Sequence, residues 1–264
     1  MSCRLYVPVP LHAGAELSLP AEAARHVQVL RLQPGDALTL FNGQGGPWRA
    51  EVQQMGRKDV AVRLIAPLDD PRNELPLHIT LALGMPANER MDSLVEKATE
   101  LGVAALQPLH CTRSVLKLQG ERADKRRAHW QGVAIAASEQ SGRVQVPEVA
   151  PVADLKAWLG TLTRLTNPGA PADVDPHGRP RPPEFRGLLS LADDAEPLAS
   201  RAAALASAGA RITLLSGPEG GLTPDEEALA RSTGFVPLSL GRRVLRADTA
   251  PLAALAAWGV LVAG

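Results

Sequence analysis

The sequence predicts an α/β fold, a mostly parallel sheet layered with helices, preceded by a smaller all-β domain. Three observations predict it. From His78 onward, short apolar runs alternate with longer stretches of helical period. Before Pro67 that alternation is absent, and short β-rich runs are separated by glycine turns instead. From Ile212 to Leu255, strand, glycine loop, capped helix, strand, arginine loop and apolar helix follow with almost no slack.

The N-terminal strands are Leu38–Phe41, Arg49–Val52 and Val60–Ile65, set apart by Pro34-Gly35-Asp36, Asn42–Gly46 and Gly56–Asp59. One helix, around Pro20–Leu30, interrupts them, and the pattern suggests a compact barrel over residues 1–70. The proline-bracketed, charged connector Pro67–Pro76 holds the expected boundary, with a second domain over 74–264.

In that second domain His78–Leu83 reads as a strand. Glu89–Leu101 reads as a helix with Met91, Leu94, Val95, Ala98 and Leu101 on one stripe, stopped by Gly102. A strand over Ala105–Leu109 and a long helix over Arg122–Glu139 follow. Thr161–Arg186, dense in proline and polar residues, reads as a mobile surface insertion, with a basic contact through Arg179, Arg181 and Arg186 as the lesser alternative. The rhythm resumes with strand Leu188–Leu191, helix Pro197–Ala208 and strand Ile212–Leu215. Thr223-Pro224-Asp225-Glu226 fits a capping box, with proline at the first helical position, where no N–H is needed. The last helix, Thr249–Val262, is apolar almost all round, so burial on more than one side is expected. Its position at the end of the chain points to a second subunit as the cover, hence a homodimer.

Composition excludes several classes. An apolar content of 45% with 21% charged residues is ordinary for a soluble globular chain. Zero net charge rules out a polyanion binder driven by bulk charge, yet His110–Arg143 carries seven basic residues against three acidic. Cys3 and Cys111 are in no metal-ligand spacing and favour a reduced, cytoplasmic compartment. No signal peptide is visible, and the apolar run Ala250–Ala263 is too short to span a bilayer. The histidines form no ligand pair, so no metal is expected.

Two loops, Gly217-Pro218-Glu219-Gly220-Gly221 and Gly241–Arg246, leave the C-terminal ends of predicted strands, where α/β proteins bind ligands. Neither dinucleotide nor P-loop fingerprint is met, and Glu219 would repel a phosphate. A ligand with an adenosine-like face and little anionic character fits better. Arg242, Arg243 and Arg246 lie between an apolar strand and an apolar helix; Val244 and Leu245 are expected to pack inward and leave the arginines facing a cleft. Glu139-Gln140-Ser141-Gly142-Arg143 reads as a cap and turn.

In order and spacing, these motifs resemble the bacterial 16S ribosomal RNA (uracil-N3)-methyltransferases of the RsmE type, in the SPOUT (α/β-knot) superfamily. The resemblance runs through His26–Arg31 with Pro34-Gly35-Asp36, Lys97–Gly102, Thr112–Val115, Glu139–Arg143, Gly217–Gly221 and Leu240–Arg246. It implies a PUA-like N-terminal RNA-binding β-barrel and a C-terminal trefoil-knotted, parallel-sheet methyltransferase domain. It further implies S-adenosylmethionine as cofactor, a homodimer, and the 16S rRNA of the small ribosomal subunit as partner. Carried over, the cofactor pocket would use Leu191, Gly217, Gly221, Leu240, Gly241, Val244 and Leu245. Arg246 would offset charge on the uracil, with Glu219 or Asp248 as proton acceptor or orienter. The family usually has Glu-Thr-Ala where this chain has Asp248-Thr249-Ala250, and the 161–186 segment is longer than the family's. With aromatics at 3%, RNA affinity would rest on Arg113, Lys117, Arg122, Lys125, Arg126, Arg127 and Arg143 and on the N-terminal domain. Two other readings are a SPOUT methyltransferase of another RNA position and a non-catalytic RNA-binding assembly factor.

Overall fold

The computed structural model describes residues 3–57, 59–69, 74–165, 184–205 and 209–262. The chain divides into two compact units, Met1–Glu74 with Ile135–Val146, and Leu75–Ala134 with Pro147–Gly264.

The first unit holds β1 (Arg4–Tyr6), β2 (Glu16–Ser18), α1 (Ala21–Val29), β3 (Ala37–Phe41), β4 (Trp48–Met55) and β5 (Val60–Pro67). They form one five-stranded sheet in the order β1-β3-β4-β5-β2. β1 and β2 escape sequence reading because each spans three residues, too few for a period to show. The sheet closes over a core of Leu5, Val27, Leu38, Leu40, Val52, Val62 and Leu64.

The Glu139–Arg143 motif belongs to this unit and does more than turn the chain. The Tyr6 N–H donates to Glu139 Oε1 at 2.9 Å, and Arg4 Nη2 donates to the carbonyls of Gly142 and Arg143. Burial pushes the Glu139 carboxyl above its ordinary range, against the opposing pull of the Tyr6 N–H and His26. Arg143 corrects an expectation. Its side chain is buried and pairs with Glu74 Oε2 through Nε at 3.0 Å and Nη2 at 2.6 Å. Glu74 Oε1 accepts from the Val144 and Gln145 N–H groups as well. A guanidinium so enclosed stabilises the fold rather than meeting an RNA phosphate.

The second unit runs β6 (His78–Gly84), α2 (Asn88–Glu100), β7 (Ala105–His110), α3 (Gly120–Ser141, whose last turns lie in the first unit), β8 (Glu148–Val149), β9 (Ala153–Asp154), α4 (Leu155–Leu165), β10 (Glu184–Leu189), β11 (Glu196–Pro197), α5 (Leu198–Leu205), β12 (Arg211–Ser216), α6 (Pro224–Ser232), β13 (Val236–Ser239) and α7 (Thr249–Val262). The sheet order is β11-β13-β10-β12-β6-β7-β8, with β9 on β7, and these pairings are parallel. β12 is central, which explains its unbroken burial from Ile212 to Ser216: each face is covered by helices. Leu215 packs with Ala82 and Leu188 beneath Leu155 and Leu159 of α4 and Ala230 of α6. Leu214, one residue back, faces the opposite layer.

The α2 stripe is buried at Met91, Leu94, Val95 and Ala98, and Gly102 takes φ 92° after the helix. The insertion boundaries shift. Thr161–Leu165 is the last turn of α4, and Glu184–Arg186 opens β10. Arg186 is buried, bonding Glu184 at 3.0 Å and the Thr233 carbonyl, so it is no surface cation. Arg179, Arg181 and Ala206–Ala208 fall outside the described residues. Among the described residues no helix is long and apolar enough to cross a membrane.

Candidate functional site

The parallel sheet places the C-terminal ends of β13, β10, β12 and β6 side by side. From β6 the chain moves outward to β7; from β12 it moves the other way, to β13 beyond β10. Oppositely directed connections leave a crevice at the carboxyl ends of such neighbours. Into it fall Ser190-Leu191 after β10, Gly217–Leu222 after β12 and Leu240, Gly241 and Arg243–Ala247 after β13, lining a cleft of about 680 Å³. That volume suits a nucleoside-sized ligand.

The glycine loop is shaped by close approach. A Cβ on Gly217 would stand 2.9 Å from the Leu222 amide nitrogen and 3.1 Å from the Gly221 carbonyl carbon, so backbone itself forbids a side chain there. Gly221 takes φ 68°, a left-handed conformation natural to glycine. The loop then enters α6 through the expected capping box: Thr223 Oγ1 accepts from Glu226 N, and Glu226 Oε2 accepts from Thr223 N at 2.8 Å.

Glu226 has a second task that sequence reasoning missed. Its Oε1 accepts from both the N–H (2.7 Å) and the hydroxyl (2.9 Å) of Thr112, tying the loop after β7 to the start of α6. Burial of Glu226 disfavours its charge, but the hydrogen bonds from Thr223 and Thr112 outweigh that and hold the carboxyl below its ordinary range. A carboxyl whose folded value is lowered stabilises the fold above its unfolded value and loses that contribution as pH falls through the folded one. A Glu226→Gln protein should therefore melt below the parent at neutral pH, and the gap should close on acidification beneath the carboxylate range. Thermal unfolding at a series of pH values checks this.

All seven expected cofactor residues, Leu191, Gly217, Gly221, Leu240, Gly241, Val244 and Leu245, line the cleft, as do Arg246, Glu219 and Arg113. Val244 departs from expectation. It is 77% exposed and forms a wall of the cleft instead of packing inward. Leu191, 71% exposed, does the same from the β10 side. Arg243 and Arg246 line the cleft; Arg242 does not. The carbonyl of Arg246 accepts from the Thr249 and Ala250 N–H groups, which sets the residue in a tight turn before α7.

The two candidate carboxylates separate. Glu219 faces the cleft, with Oε1 accepting from the Ala87 N–H at 3.1 Å and from Arg90 Nη1 at 3.3 Å. Asp248 does not line the cleft, although Ala247 and Ala250 on either side do. Its Oδ1 is buried without a hydrogen-bond partner. Sequence explains why. Capping α7, Asp248 would bond the N–H two or three residues on, but Pro251 has none and the Ala250 N–H is committed to Arg246.

Arg90 and Ser190 also line the cleft and were absent from the sequence reading. Ser190 donates to Glu227 Oε1 at 2.7 Å and accepts from the Ala192 N–H. The signal for both was position: each directly follows a parallel strand's carboxyl end or opens the next helix. Arg113 donates to the carbonyls of Gly220 and Leu222, bracing the glycine loop. Of the other basic candidates, Lys117, Arg122 and Lys125 are exposed, Lys125 pairing with Glu121 at 2.8 Å, whereas Arg127 donates to the Val149 carbonyl. Arg126 is half-buried. Cys111 is no nucleophile: burial and the nearby Glu226 charge push its thiol to about 12. Cys3 and Cys111 are both free. Among the described residues no cluster could hold a metal ion.

Residues 73–259 match the family model of an RNA methyltransferase domain, and residues 19–65 that of an RNA methyltransferase PUA domain. Ribosomal RNA small subunit methyltransferase E of Synechocystis sp. is 33% identical over 257 residues, 97% of this chain and 77% of that protein. The Bacillus subtilis protein of the same name is 31% identical, covering 91% of this chain and 88% of its own. Among solved structures, ribosomal RNA small subunit methyltransferase E from Neisseria gonorrhoeae bound to S-adenosyl methionine superposes with a TM-score of 0.81 at 33% identity, covering 99% of this chain and 98% of that one. A putative methyltransferase from Legionella pneumophila in complex with the same cofactor gives 0.83 at 32%, covering 98% of each chain.

Proposed function

Because the chain belongs to the RNA methyltransferase family that includes ribosomal RNA small subunit methyltransferase E, we propose that it methylates N3 of a uridine in 16S rRNA with S-adenosylmethionine as donor. One observation carries the reading: two glycine loops, far apart in sequence, converge with Leu191 on a single cleft at the carboxyl edge of the parallel sheet. The donor set fits the cofactor. Small residues expose backbone groups to a purine and ribose, Leu191, Leu240 and Val244 offer apolar contact, and Glu219 suits a cationic ligand rather than a phosphate.

The bound cofactor supplies a methyl group on a sulfonium, which needs little activation beyond in-line placement. The chain must deal with the uracil. Its N3–H ionises only well above neutral pH, so negative charge develops on the uracil oxygens as N3 attacks, and the Arg246 guanidinium offsets it. Glu219, a carboxylate lining the cleft, accepts the proton. Asp248, which does not line the cleft, takes no part in that transfer.

Residues 1–70 act as the PUA-like RNA-binding domain and 74–264 as the methyltransferase domain of a cytoplasmic enzyme acting on the small ribosomal subunit. The active unit is a homodimer through α7. That helix buries Pro251, Ala254, Leu255 and Trp258 within the chain but leaves Val260 79% and Leu261 46% exposed. Nucleoside analysis of 16S rRNA from a strain lacking the protein tests the reading. Loss of one N3-methyluridine, restored by the intact chain, is expected; unchanged 16S rRNA, with a methyl lost from another RNA, would reassign the substrate.

A further inference from the structure

We propose that a second cleft in the methyltransferase unit is a phosphate subsite, gripping the RNA strand next to the nucleotide being methylated. The proposal rests on the RNA methyltransferase reading and adds a site to it. The cleft, about 280 Å³, opens where the loop after β7 meets the start of α4, and Lys117 and Lys156 both line it. It shares a wall with the cofactor cleft. Thr112 and Glu226 face the second cleft, while their chain neighbours Arg113 and Glu227 face the first.

The charges in the second cleft are unequal in availability. Both carboxylates are engaged: Glu226 by Thr112 and Thr223, and Asp154 Oδ1 by the Ala157 N–H at the start of α4. The two lysines are exposed, and no ion pair engages either among the described residues. Lys156 stands in the first turn of α4, which holds no acidic residue. A cation there gains nothing from the helix dipole, and Asp154 caps the same turn through the Ala157 N–H. On the facing loop, His110 Nε2 meets the backbone of Leu118 and so holds the chain beside Lys117 in place.

The occupant follows from chemistry. Two ammonium groups in a cleft lined largely by polar side chains suit a phosphodiester. Arg113, braced on the Gly220 and Leu222 carbonyls, supplies a cationic ridge over which a strand would pass from one cleft to the other. A uracil in the first cleft thereby sets a neighbouring phosphate at Lys117 and Lys156.

The test compares the full-length protein with a Lys117→Ala, Lys156→Ala double variant and with a Lys117→Arg, Lys156→Arg double variant. Binding of a single-stranded, uridine-centred oligoribonucleotide is followed by fluorescence anisotropy over a range of salt. Losing two phosphate contacts should lower the slope of log affinity against log salt by about 1.4, at about 0.7 per contact for a single strand. S-adenosylmethionine affinity should not change, and the arginine variant should keep the parental slope. Equal slopes for parent and alanine variant, or no RNA binding by the parent, overturn the subsite. Failure of the parent reading looks different: a protein that binds RNA with the expected lysine dependence yet leaves uridine N3 unmethylated loses its assigned reaction and keeps the subsite.

Discussion

An Arg246→Ala enzyme is expected to bind S-adenosylmethionine as the parent does and to transfer methyl about 10² to 10³ times more slowly. The magnitude is that of removing one preorganised donor aimed at developing negative charge. Arg246 lines the cleft and is exposed, and no ion pair within the described chain engages it. Its backbone turn into α7 does not depend on the side chain, so the fold should survive. Single-turnover methylation at saturating cofactor, beside a cofactor titration, separates the outcomes. A normal rate removes Arg246 from the chemistry, and a lost cofactor affinity moves it to the cofactor site. Lysine at this position should recover only part of the rate, since an ammonium lacks the planar fork.

Arg143→Ala should have the largest effect on stability, about 3–5 kcal/mol, the usual cost of stranding one member of a buried ion pair. The Arg143 side chain is 4% exposed and that of Glu74 16%, and Glu74 also receives the Val144 and Gln145 N–H groups. Deleting the guanidinium leaves a carboxylate with two amide donors and little water. Lys125→Ala is the control, because its pair with Glu121 is largely exposed and screened. Thermal unfolding of both variants checks the contrast. A change at Arg143 no larger than at Lys125 would show the enclosure to be energetically idle. With two compact units in the chain, the transition of the first unit, followed by Trp48, is the relevant one.

How much was legible beforehand varied with the length and repetition of the local signal. The α2 stripe, Gly102 after it, the capping box at Thr223 and the bounds of α7 were readable because each is written in neighbouring residues. Strands of two or three residues, β1, β2, β8, β9 and β11, were not, since pairing rather than pattern makes them strands. The start of β10 was missed for a related reason. Glu184 and Arg186 look like loop residues until Thr213 and Thr233 give them partners.

The site divides in the same way. Glycine loops at strand ends pointed to a cleft there, and all seven candidate residues line one. Charged residues were harder, because a side chain's role depends on what lies across space. Arg143 and Lys117 read alike in sequence, yet one is sealed against Glu74 and the other lines an open cleft.

What the sequence by itself determined was the α/β character of the chain, the run of elements from Ile212 to Val262, and the positions of the turns that only small residues can make. Those are properties of local backbone preference and period. Which arginine faces the cleft, which carboxylate is committed to Thr112, and why Asp248 lacks a cap partner were decided only by the tertiary structure. Burial and hydrogen-bond competition act between residues that neighbour one another only after the sheet has formed.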